Sequence, residues 1–364
     1  MHSLIKLKDI GNFETLPDMA MLLYEGNGPA LRDALAGGWD VNGPITLSRY
    51  TDVYPLELAI MMNRLEVVEL LVEHGAELNR KDGPSFLTAV RYGGERVIRY
   101  LVERGAKLHL LNQVKSNAYD QAYYGKKENI PLILELGLDI RKYGGSVLRK
   151  AVSDRNRNMV AYLLDQGVDI NFNKPDMVYP YQATPLTVAV RAGDLAMVQY
   201  LMERGADVTI AERGGERAYT IAVSGQHEQH EQIAAYLKAA EPPLFHDLEN
   251  KKYELKPFKL SEPLVEFLTG EALRLELSSN DYGIAYVRFL SLTDTVPMKA
   301  GRQKLLRLSA NVDNYSHLVL VWNPKTKRIG CYDEEHQEYA DLGDFTAFVA
   351  EADKLLIAFM EGEL

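Results

Sequence analysis

Two short runs of histidine and acidic residues are the first places to look for chemistry. "HEQHEQ" (227–232) places His227 and His230 three residues apart, whereas the zinc motif H-E-x-x-H requires a spacing of four. "DEEH" (333–336) sets carboxylates beside His336, but no second ligand cluster or nucleophile accompanies them. The sequence favours a solvated helix face for the first run and exposed charge at a strand end for the second.

Glycine runs and a single thiol are the remaining candidates. "GGER" occurs at 93–96 and at 214–217, but neither copy continues into the G-K-[ST] of a phosphate loop. Cys331 is the only cysteine and stands in a strand-like run, where a small buried hydrophobe is its ordinary role. Nucleophile elbows and nucleotide fingerprints are missing from the sequence. We therefore expect no enzyme, no metal site and no cofactor.

Composition limits the class of protein. A length of 364 residues with 46% hydrophobic content is enough for two domains with cores. The formal net charge of −10 argues against nucleic-acid binding and favours basic partners, although acidity also serves solubility. The first residues lack a signal peptide, and no apolar run approaches about eighteen residues. With one cysteine, this predicts a cytoplasmic protein that does not enter membranes.

A nine-residue phrase, first met as "LVEHGAELN" (71–79), recurs along the chain. Its glycines are spaced by 30 to 38 residues and are Gly38, Gly75, Gly105, Gly137, Gly167 and Gly205. Each ends a stretch with helical apolar spacing, where a left-handed residue without a Cβ is favoured. A shorter apolar helix precedes each stretch, and one such helix pair cannot bury its own apolar face. The pattern therefore predicts stacked helix pairs.

These units resemble ankyrin repeats. "ATPLTVAVRAGDLAMVQYLMERGADV" (183–208) carries the T-P-L opening, the A-x-x-G turn and the L-x-x-G-A-D-V close, and 54–79 is a second clear copy. The fold implied is an all-α ankyrin-repeat solenoid of about seven helix pairs over 12–240, followed by a small α+β domain. Ankyrin arrays are binding scaffolds, and a protein partner is therefore expected.

The resemblance also implies where that partner lies. In ankyrin arrays the ends of the first helices and the loops between repeats, called fingers, line a concave face. The helix-end positions here are Met61, Met62, Arg91, Tyr92, Tyr123, Tyr124, Ser153, Asp154 and Arg191. Two fingers are lengthened and carry Tyr50, Tyr54, Tyr179 and Tyr181. Tyrosine, methionine and arginine are enriched at interfaces, but these rings are equally suited to cover a neighbouring finger or the second domain.

The sequence beyond about residue 250 changes character. "YGIAYVRFLSL" (282–292) alternates like a half-buried strand, and 316–339 reads as two strands around a polar "NPKTKR" turn. Asp344 is a plausible N-cap for a closing helix. This order resembles the second half of the SUKH superfamily, whose F-x-x-F helix is matched by Phe345 and Phe348. The early part of that family's pattern is missing, and a generic α+β domain over 250–364 remains an alternative.

Three hypotheses about function follow. SUKH-like domains and ankyrin repeats both occur in immunity proteins, which bind a toxin and cover its active site; a basic toxin would suit the acidic chain. The alternative is a general ankyrin adaptor with several partners. An enzyme with an unrecognised site in 250–364 is the third hypothesis, and it requires a pocket with converging polar groups. The oligomeric state is left open by the sequence.

Overall fold

The computed structural model describes residues 4–364, which form two compact units. One unit comprises residues up to 150 together with 158–169, and the other comprises 151–157 together with 170–364. The first is built almost entirely of helix pairs. The second combines the last two helix pairs with the C-terminal region. The predicted division into 12–240 and 250–364 stays a prediction.

The first unit consists of consecutive helix pairs and two small hairpins. The hairpins are β1 (Ile5–Leu7) with β2 (Gly11–Phe13) and β3 (Ile45–Ser48) with β4 (Thr51–Val53). The helices are α1 (Asp18–Glu25), α2 (Gly28–Ala36), α3 (Pro55–Met61), α4 (Leu65–Glu73), α5 (Ser85–Tyr92), α6 (Glu95–Glu103), α7 (Ala118–Tyr124), α8 (Ile130–Glu135) and α9 (Ile140–Tyr143). Helices α10 (Gly145–Ser153) and α11 (Arg157–Asp165) contribute residues to both units.

The repeated glycines end the second helix of each pair, as predicted. Gly75, Gly105 and Gly137 adopt φ angles of +89°, +96° and +96°, a left-handed conformation that costs an L-residue about 1–2 kcal/mol. A Cβ at any of these three positions would meet no atom within 4 Å. The glycines are therefore required by backbone conformation rather than by close packing.

Each pair buries one face of both helices. In α3 the residues from Pro55 to Met61 are buried except Glu57, and α4 buries Val67, Val68, Leu70 and Leu71. Helix α3 packs on α1 and α5, and α4 packs on α2 and α6. The apolar residues that recur in each repeat thus pack between neighbouring helix pairs, which confirms a stacked helical array.

The second unit begins with two more helix pairs, α12 (Pro185–Arg191) with α13 (Leu195–Glu203) and α14 (Ala218–Ser224) with α15 (His230–Ala240). Thr184 and Asp194 cap the first pair, since their side chains accept hydrogen bonds from the backbone N–H groups of Thr187 and Met197. The last pair lacks the closing glycine, and α15 ends instead at the Pro-containing segment 241–243.

The C-terminal region is rich in β-structure. Its helices are α16 (Leu248–Leu255), α17 (Glu262–Thr269) and α18 (Phe345–Met360). Its strands are β5 (Arg274–Glu276), β6 (Tyr286–Phe289), β7 (Val296–Ala300), β8 (Gln303–Arg307), β9 (Ser309–Val312), β10 (Leu318–Asn323), β11 (Arg328–Asp333) and β12 (Glu338–Gly343). They form an antiparallel five-stranded sheet in the order β12-β11-β10-β8-β7 and a three-stranded sheet in the order β5-β6-β9.

Two hydrophobic clusters hold this region together, a large one and a smaller one around Leu305, Val319 and Val321. Trp322, Cys331 and Phe348 are almost fully buried in the large cluster, and α18 packs on β11 and β12. The predicted hairpin around "NPKTKR" is confirmed as β10 and β11. The Asp344 side chain accepts a hydrogen bond from the N–H of Ala347 at 2.9 Å, which confirms the predicted N-cap. Helices α16 and α17 were not predicted from the sequence.

Candidate functional site

The lengthened finger of the first unit presents an exposed tyrosine. Hairpin β3–β4 carries Tyr50 in its turn, and this side chain is 84% exposed. The Tyr50 ring lies 5.3 Å from the guanidinium of Arg49, and the Tyr50 backbone N–H donates a hydrogen bond to the Ser48 hydroxyl. The turn is thus ordered by local bonds, and the ring is left available for contact.

Two other members of the predicted set are engaged by their own unit. The Arg80 guanidinium stacks 3.1 Å from the centre of the Tyr54 ring, and Arg80 is in turn paired with Asp82 at 2.6 Å. Tyr54 therefore supports the next finger. Met61 is only 4% exposed, because it lies on the core side of the last turn of α3, so a surface role for it is wrong in this structure. Its neighbour Met62 is half-buried.

The end of α5 is engaged by the N-terminal hairpin. Arg91 and Tyr92 both donate hydrogen bonds to the carboxylate of Asp9, which lies between β1 and β2. Arg91 also donates to the Gln121 Oε1 at 3.0 Å. A carboxylate thus sits on the helix end where the sequence places a partner. No local sequence pattern predicts this contact.

The adjacent tyrosines at the end of α7 have opposite environments. Tyr123 is 3% exposed and packs beneath Lys127, whose ammonium lies 4.2 Å from the ring centre. Tyr124 is 53% exposed. The prediction of a contact residue is therefore wrong for Tyr123, since consecutive helix positions point about 100° apart. Only Tyr124 is presented to solvent.

The second unit contains the remaining predicted residues. Asp154 is exposed. Tyr179 and Tyr181 pack edge to face with ring centres 6.1 Å apart, and Arg191 lies 5.1 Å from the Tyr181 ring. Tyr179, Tyr181 and Arg191 therefore form one local cluster on the long finger and the end of α12.

Two fingers also expose apolar side chains that the sequence pattern did not single out. Leu111 and Val114 on the finger before α7 are 39% and 54% exposed, and Met177 and Val178 on the finger before α12 are 70% and 60% exposed. The sequence feature that could have indicated them is the presence of large apolar residues in loops that do not pack between the helix pairs. They are further contact candidates in each unit.

A cavity of about 1060 Å³ opens in the second unit and is called the charged groove. Its lining includes Tyr181, Arg191, Glu212, Glu216, Arg307 and Glu334. Arg191 contacts Glu212 at 2.6 Å and Glu216 at 3.7 Å. Arg307, at the end of β8, contacts Glu216 at 2.9 Å and Glu334 at 4.0 Å. The five groups form a continuous ionic network joining the fingers to the sheet.

Burial dominates the electrostatics of this network. It raises the pKa of Glu212, an effect partly opposed by Arg191, and it raises the pKa of Glu334 in the same way, partly opposed by Arg307. The side chain of Glu212 is only 1% exposed. The arginine partners thus offset part of the cost of holding charge on these two carboxylates.

The C-terminal region also holds the last helix pair. Arg288 on β6 donates to the Val223 carbonyl oxygen at 2.9 Å, at the C-terminal end of α14, and Gln226 donates to Asn311 Oδ1 at 2.7 Å. A Cβ at Gly215 would lie 2.5 Å from the Pro297 carbonyl oxygen. In this unit the end of a first helix is thus covered by the chain's own sheet rather than left for a partner.

The two motifs that combine histidine with acidic residues lie in different surroundings. His227 is exposed and precedes α15, whereas His230 is buried, with Nε2 at 2.7 Å from the Val190 carbonyl oxygen; the expected solvated face is wrong for His230. Asp333 accepts bonds from the N–H groups of Glu335 and His336 and organises the β11–β12 turn. Within residues 4–364, no cluster of His, Cys, Asp and Glu has metal-binding geometry, and no helix has the length and apolar character to cross a membrane.

Comparison with known proteins places ankyrin repeats in this chain. A family model for three ankyrin-repeat copies matches residues 119–212, and a single-repeat model matches 52–83. Neither match extends past residue 212, so the resemblance of the C-terminal region to SUKH proteins stays a proposal.

Individual relatives match only in part. The chain is 34% identical over 119 residues to "Putative palmitoyltransferase ZDHHC13" of Danio rerio, covering 32% of this chain and 17% of that protein. It is 23% identical over 180 residues to "Putative ankyrin repeat protein R598" of Acanthamoeba polyphaga mimivirus, covering 48% and 54% of the two chains. The human ASB11 ankyrin repeat domain superposes with a TM-score of 0.48 and 22% identity, over 62% of this chain and 99% of that one. The chain thus spans at most about half the length of these curated relatives.

Proposed function

Since the chain contains ankyrin repeats, we propose that it is an immunity-type binding protein that neutralises a toxin or effector domain by covering its active site. The ankyrin-repeat fold is typically a non-enzymatic binding scaffold and implies a protein partner. Contact would be made by the finger tips and by the exposed ends of the first helices. The protein would act in the cytoplasm and need no cofactor.

The observation that carries this proposal is the exposure of apolar and aromatic side chains on the fingers. Tyr50, Met177 and Val178 are each at least 60% exposed, and Leu111 and Val114 add to them. Scattered exposed apolar residues are ordinary on protein surfaces. These residues, however, lie on the fingers, and Tyr124 lies at a helix end, which are the positions that ankyrin repeats use for contact. Aromatic and methionine side chains are also enriched in interface cores.

The narrower proposal of toxin neutralisation has its own support. The C-terminal hairpin followed by the helix with Phe345 and Phe348 resembles SUKH proteins, and we propose that 250–364 forms a separate α+β domain of that kind. The net charge of −10 complements a basic partner such as a nuclease toxin, since opposite charges accelerate encounter. Tight one-to-one binding would require a buried area of about 1,600 Å².

The test is co-expression with the product of the neighbouring gene, followed by gel filtration of the purified pair. We expect growth to be rescued and a one-to-one complex to form. Tyr50→Ala combined with Met177→Ser should weaken the complex by at least about tenfold, because truncating a central interface residue costs about 2 kcal/mol. Tyr253→Ala is the matched control, since Tyr253 is 69% exposed but belongs to α16, which is not one of the fingers.

The outcomes separate the hypotheses. No rescue and no complex would remove toxin neutralisation, and binding of several unrelated proteins would favour the general adaptor. If the control variant weakens the complex as much as the finger variant, the fingers are not the contact surface.

A further inference from the structure

The turn between β1 and β2 places a carboxylate on the end of α5. Arg91, through Nη2, and Tyr92, through its hydroxyl, both donate hydrogen bonds to Asp9. The side chain of Asp9 is 48% exposed and that of Arg91 is 27% exposed, so this contact lies at the surface rather than in the core. Burial would raise the pKa of the Asp9 carboxyl, but the bonds from Tyr92 and Arg91 and the charge of Arg91 lower it. The end of α5 thus has the donors and the charge that hold a carboxylate anion.

Arg91 has supports that do not depend on Asp9. Its Nη1 donates a hydrogen bond to Gln121 Oε1 at 3.0 Å, and Gln121 is buried in α7. The guanidinium lies 5.3 Å from the centre of the Tyr92 ring and 5.9 Å from that of the Tyr124 ring. These contacts come from α5 and α7, so Arg91 can keep its position when the N-terminal hairpin moves away.

The hairpin that carries Asp9 has a small anchor. Of residues 5–13, Leu7 alone is buried, and a two-stranded ribbon is only marginally stable by itself. The turn places Lys8 at a φ of +48°, a left-handed conformation that is unfavourable for a residue with a Cβ. Elements with few buried contacts open at a low free-energy cost. A competitor that offers the same carboxylate can therefore take the place of Asp9.

We propose that the end of α5 binds an aspartate or glutamate side chain of a partner polypeptide, and that Asp9 occupies this site in the unbound chain until the partner displaces it. The inference rests on the proposed function, because it names the chemistry of one position on the ankyrin contact surface. Tyr124 is 53% exposed beside Arg91 and offers an aromatic surface that a polypeptide covers and a free anion does not. A basic partner also exposes acidic side chains, so its net charge governs encounter while Arg91 and Tyr92 select one group.

The probe is a fluorescent peptide of three Asp-Ala units, titrated into the full-length chain at about 0.15 M salt, where a Debye length of about 8 Å screens remote charges. A peptide of three Asn-Ala units is the control ligand, since it has nearly the same shape without the side-chain carboxylates. We expect the Asp-Ala peptide to bind and the Asn-Ala peptide to bind at least about tenfold more weakly, because charge-assisted hydrogen bonds are about twice as strong as neutral ones. Equal affinities for the two peptides would overturn the proposal.

Asp9→Asn tests the competition. It removes the chain's own carboxylate with little change in size, so the Asp-Ala peptide should bind this variant about tenfold more tightly than it binds the parent chain. Asp52→Asn is the matched control, because it removes an exposed carboxylate from hairpin β3–β4 and changes the net charge by the same amount. An unchanged affinity in Asp9→Asn, or an equal gain from both substitutions, would overturn the proposal.

Two further substitutions, each made in the Asp9→Asn chain, locate the bound peptide. Tyr92→Phe keeps the ring and removes only the hydroxyl donor, whereas Arg91→Gln removes the charge. Each should lower the affinity for the Asp-Ala peptide at least about fivefold. Arg96→Gln is the matched control, since Arg96 is exposed on α6 of the same helix pair. Unchanged binding in Tyr92→Phe, which retains the packing of the ring, or an equal loss from Arg96→Gln would overturn the proposal.

Displacement of the hairpin has a readout of its own. Because binding of the peptide and detachment of Asp9 are reciprocal, the Asp-Ala peptide should speed trypsin cleavage after Lys6 and Lys8 in the parent chain, and the Asn-Ala peptide should not. Binding without faster cleavage would mean that the peptide and Asp9 do not share a site. If acetate at the same carboxylate concentration speeds cleavage equally, the site takes any small anion and the polypeptide claim fails. The titration needs no natural partner, so its failure is distinct from a failure of the co-expression test.

Discussion

At the scale of single residues, burial separates contact candidates from core. Tyr123 and Tyr124 share one helix turn, yet the first is 3% exposed and the second 53%. We expect Tyr123→Ala to lower the free energy of unfolding by about 3–5 kcal/mol, as other buried aromatic truncations do, and Tyr124→Ala to change it by about 0.5 kcal/mol. Urea unfolding of the two variants measures this. Equal effects would show that the Tyr124 ring is also packing.

A buried histidine makes the second unit sensitive to pH. Burial, with smaller contributions from His227 and Arg288, lowers the pKa of His230, and burial also lowers the pKa of His246. In the unfolded chain such rings titrate near pH 6.5. The unfolded state therefore takes up protons first as the pH falls, and the free energy of unfolding decreases below about pH 6.5.

The prediction is that the urea midpoint of the second unit falls between about pH 7.5 and 5.5 and that His230→Gln removes part of this fall. His109→Gln, which changes an exposed histidine of the first unit, is the control and should leave the fall unchanged. If the urea midpoint of His230→Gln depends on pH as strongly as that of the parent protein, His230 is not a source of the pH dependence.

At the scale of elements, two glycines with the same backbone angle have different roles. Gly205 and Gly215 both adopt φ of +91°. A Cβ at Gly205 meets nothing within 4 Å, whereas a Cβ at Gly215 would lie 2.5 Å from the Pro297 carbonyl oxygen of β7. Gly205 is needed for the turn alone, and Gly215 is needed for the turn and for the approach of the finger to the strand.

Alanine at each position separates these roles. Gly205→Ala should lower the free energy of unfolding by about 1–2 kcal/mol, the cost of the left-handed conformation. Gly215→Ala should cost clearly more and should also increase amide hydrogen exchange in β7. Equal losses in the two variants, with β7 exchange unchanged, would mean that the finger moves away from the strand without penalty.

The sequence predicted the elements better than their contacts. Helix pairs, closing glycines and the β10–β11 hairpin follow from periodicity and local turn chemistry, which act over a few residues. The bond from Arg91 to Asp9 joins positions 82 residues apart, and no local pattern encodes it. Met61 and Tyr123 were misassigned because family position indicates the end of a helix but not which side of it faces the core.

The N-terminal hairpin can be tested as an element. Asp9→Asn removes the charge that Arg91 and Tyr92 share, so β1–β2 should detach more often. The backbone at Lys6 and Lys8, whose side chains are already exposed, should then fit more readily into the protease site. We expect trypsin to cleave this hairpin several-fold faster than in the parent protein, while the rest of the unit is cut at the same rate. Asp52→Asn, which changes an exposed residue of hairpin β3–β4, is the control. Unchanged cleavage would show that the apolar packing of Leu7, which is fully buried, is sufficient.

At the scale of the whole molecule, the last two helix pairs belong to a different compact unit from the earlier ones. Stability in repeat arrays comes from nearest neighbours, and the neighbour of α14 on one side is the C-terminal region, where Arg288 lies on β6 of the three-stranded sheet and Arg307 lies on β8 of the five-stranded sheet. The C-terminal region therefore makes the contacts to α14 that, in a longer repeat array, the next repeat would make. Sequence periodicity groups these helix pairs with the earlier repeats, because periodicity indicates the helices but not which neighbour stabilises them.

Two compact units predict two cooperative unfolding steps, with α12–α15 unfolding together with the C-terminal strands. Arg288→Ala removes its donated bond to the end of α14 and should lower the step of the second unit by about 1.5–3 kcal/mol. Leu58→Ala, a fully buried residue of the first unit, should lower only the other step, by about 2–5 kcal/mol. Native-state hydrogen exchange in urea assigns each helix to its step. If exchange in α12–α15 responds to Leu58→Ala and not to Arg288→Ala, these helices are stabilised by the preceding repeats and not by the sheet.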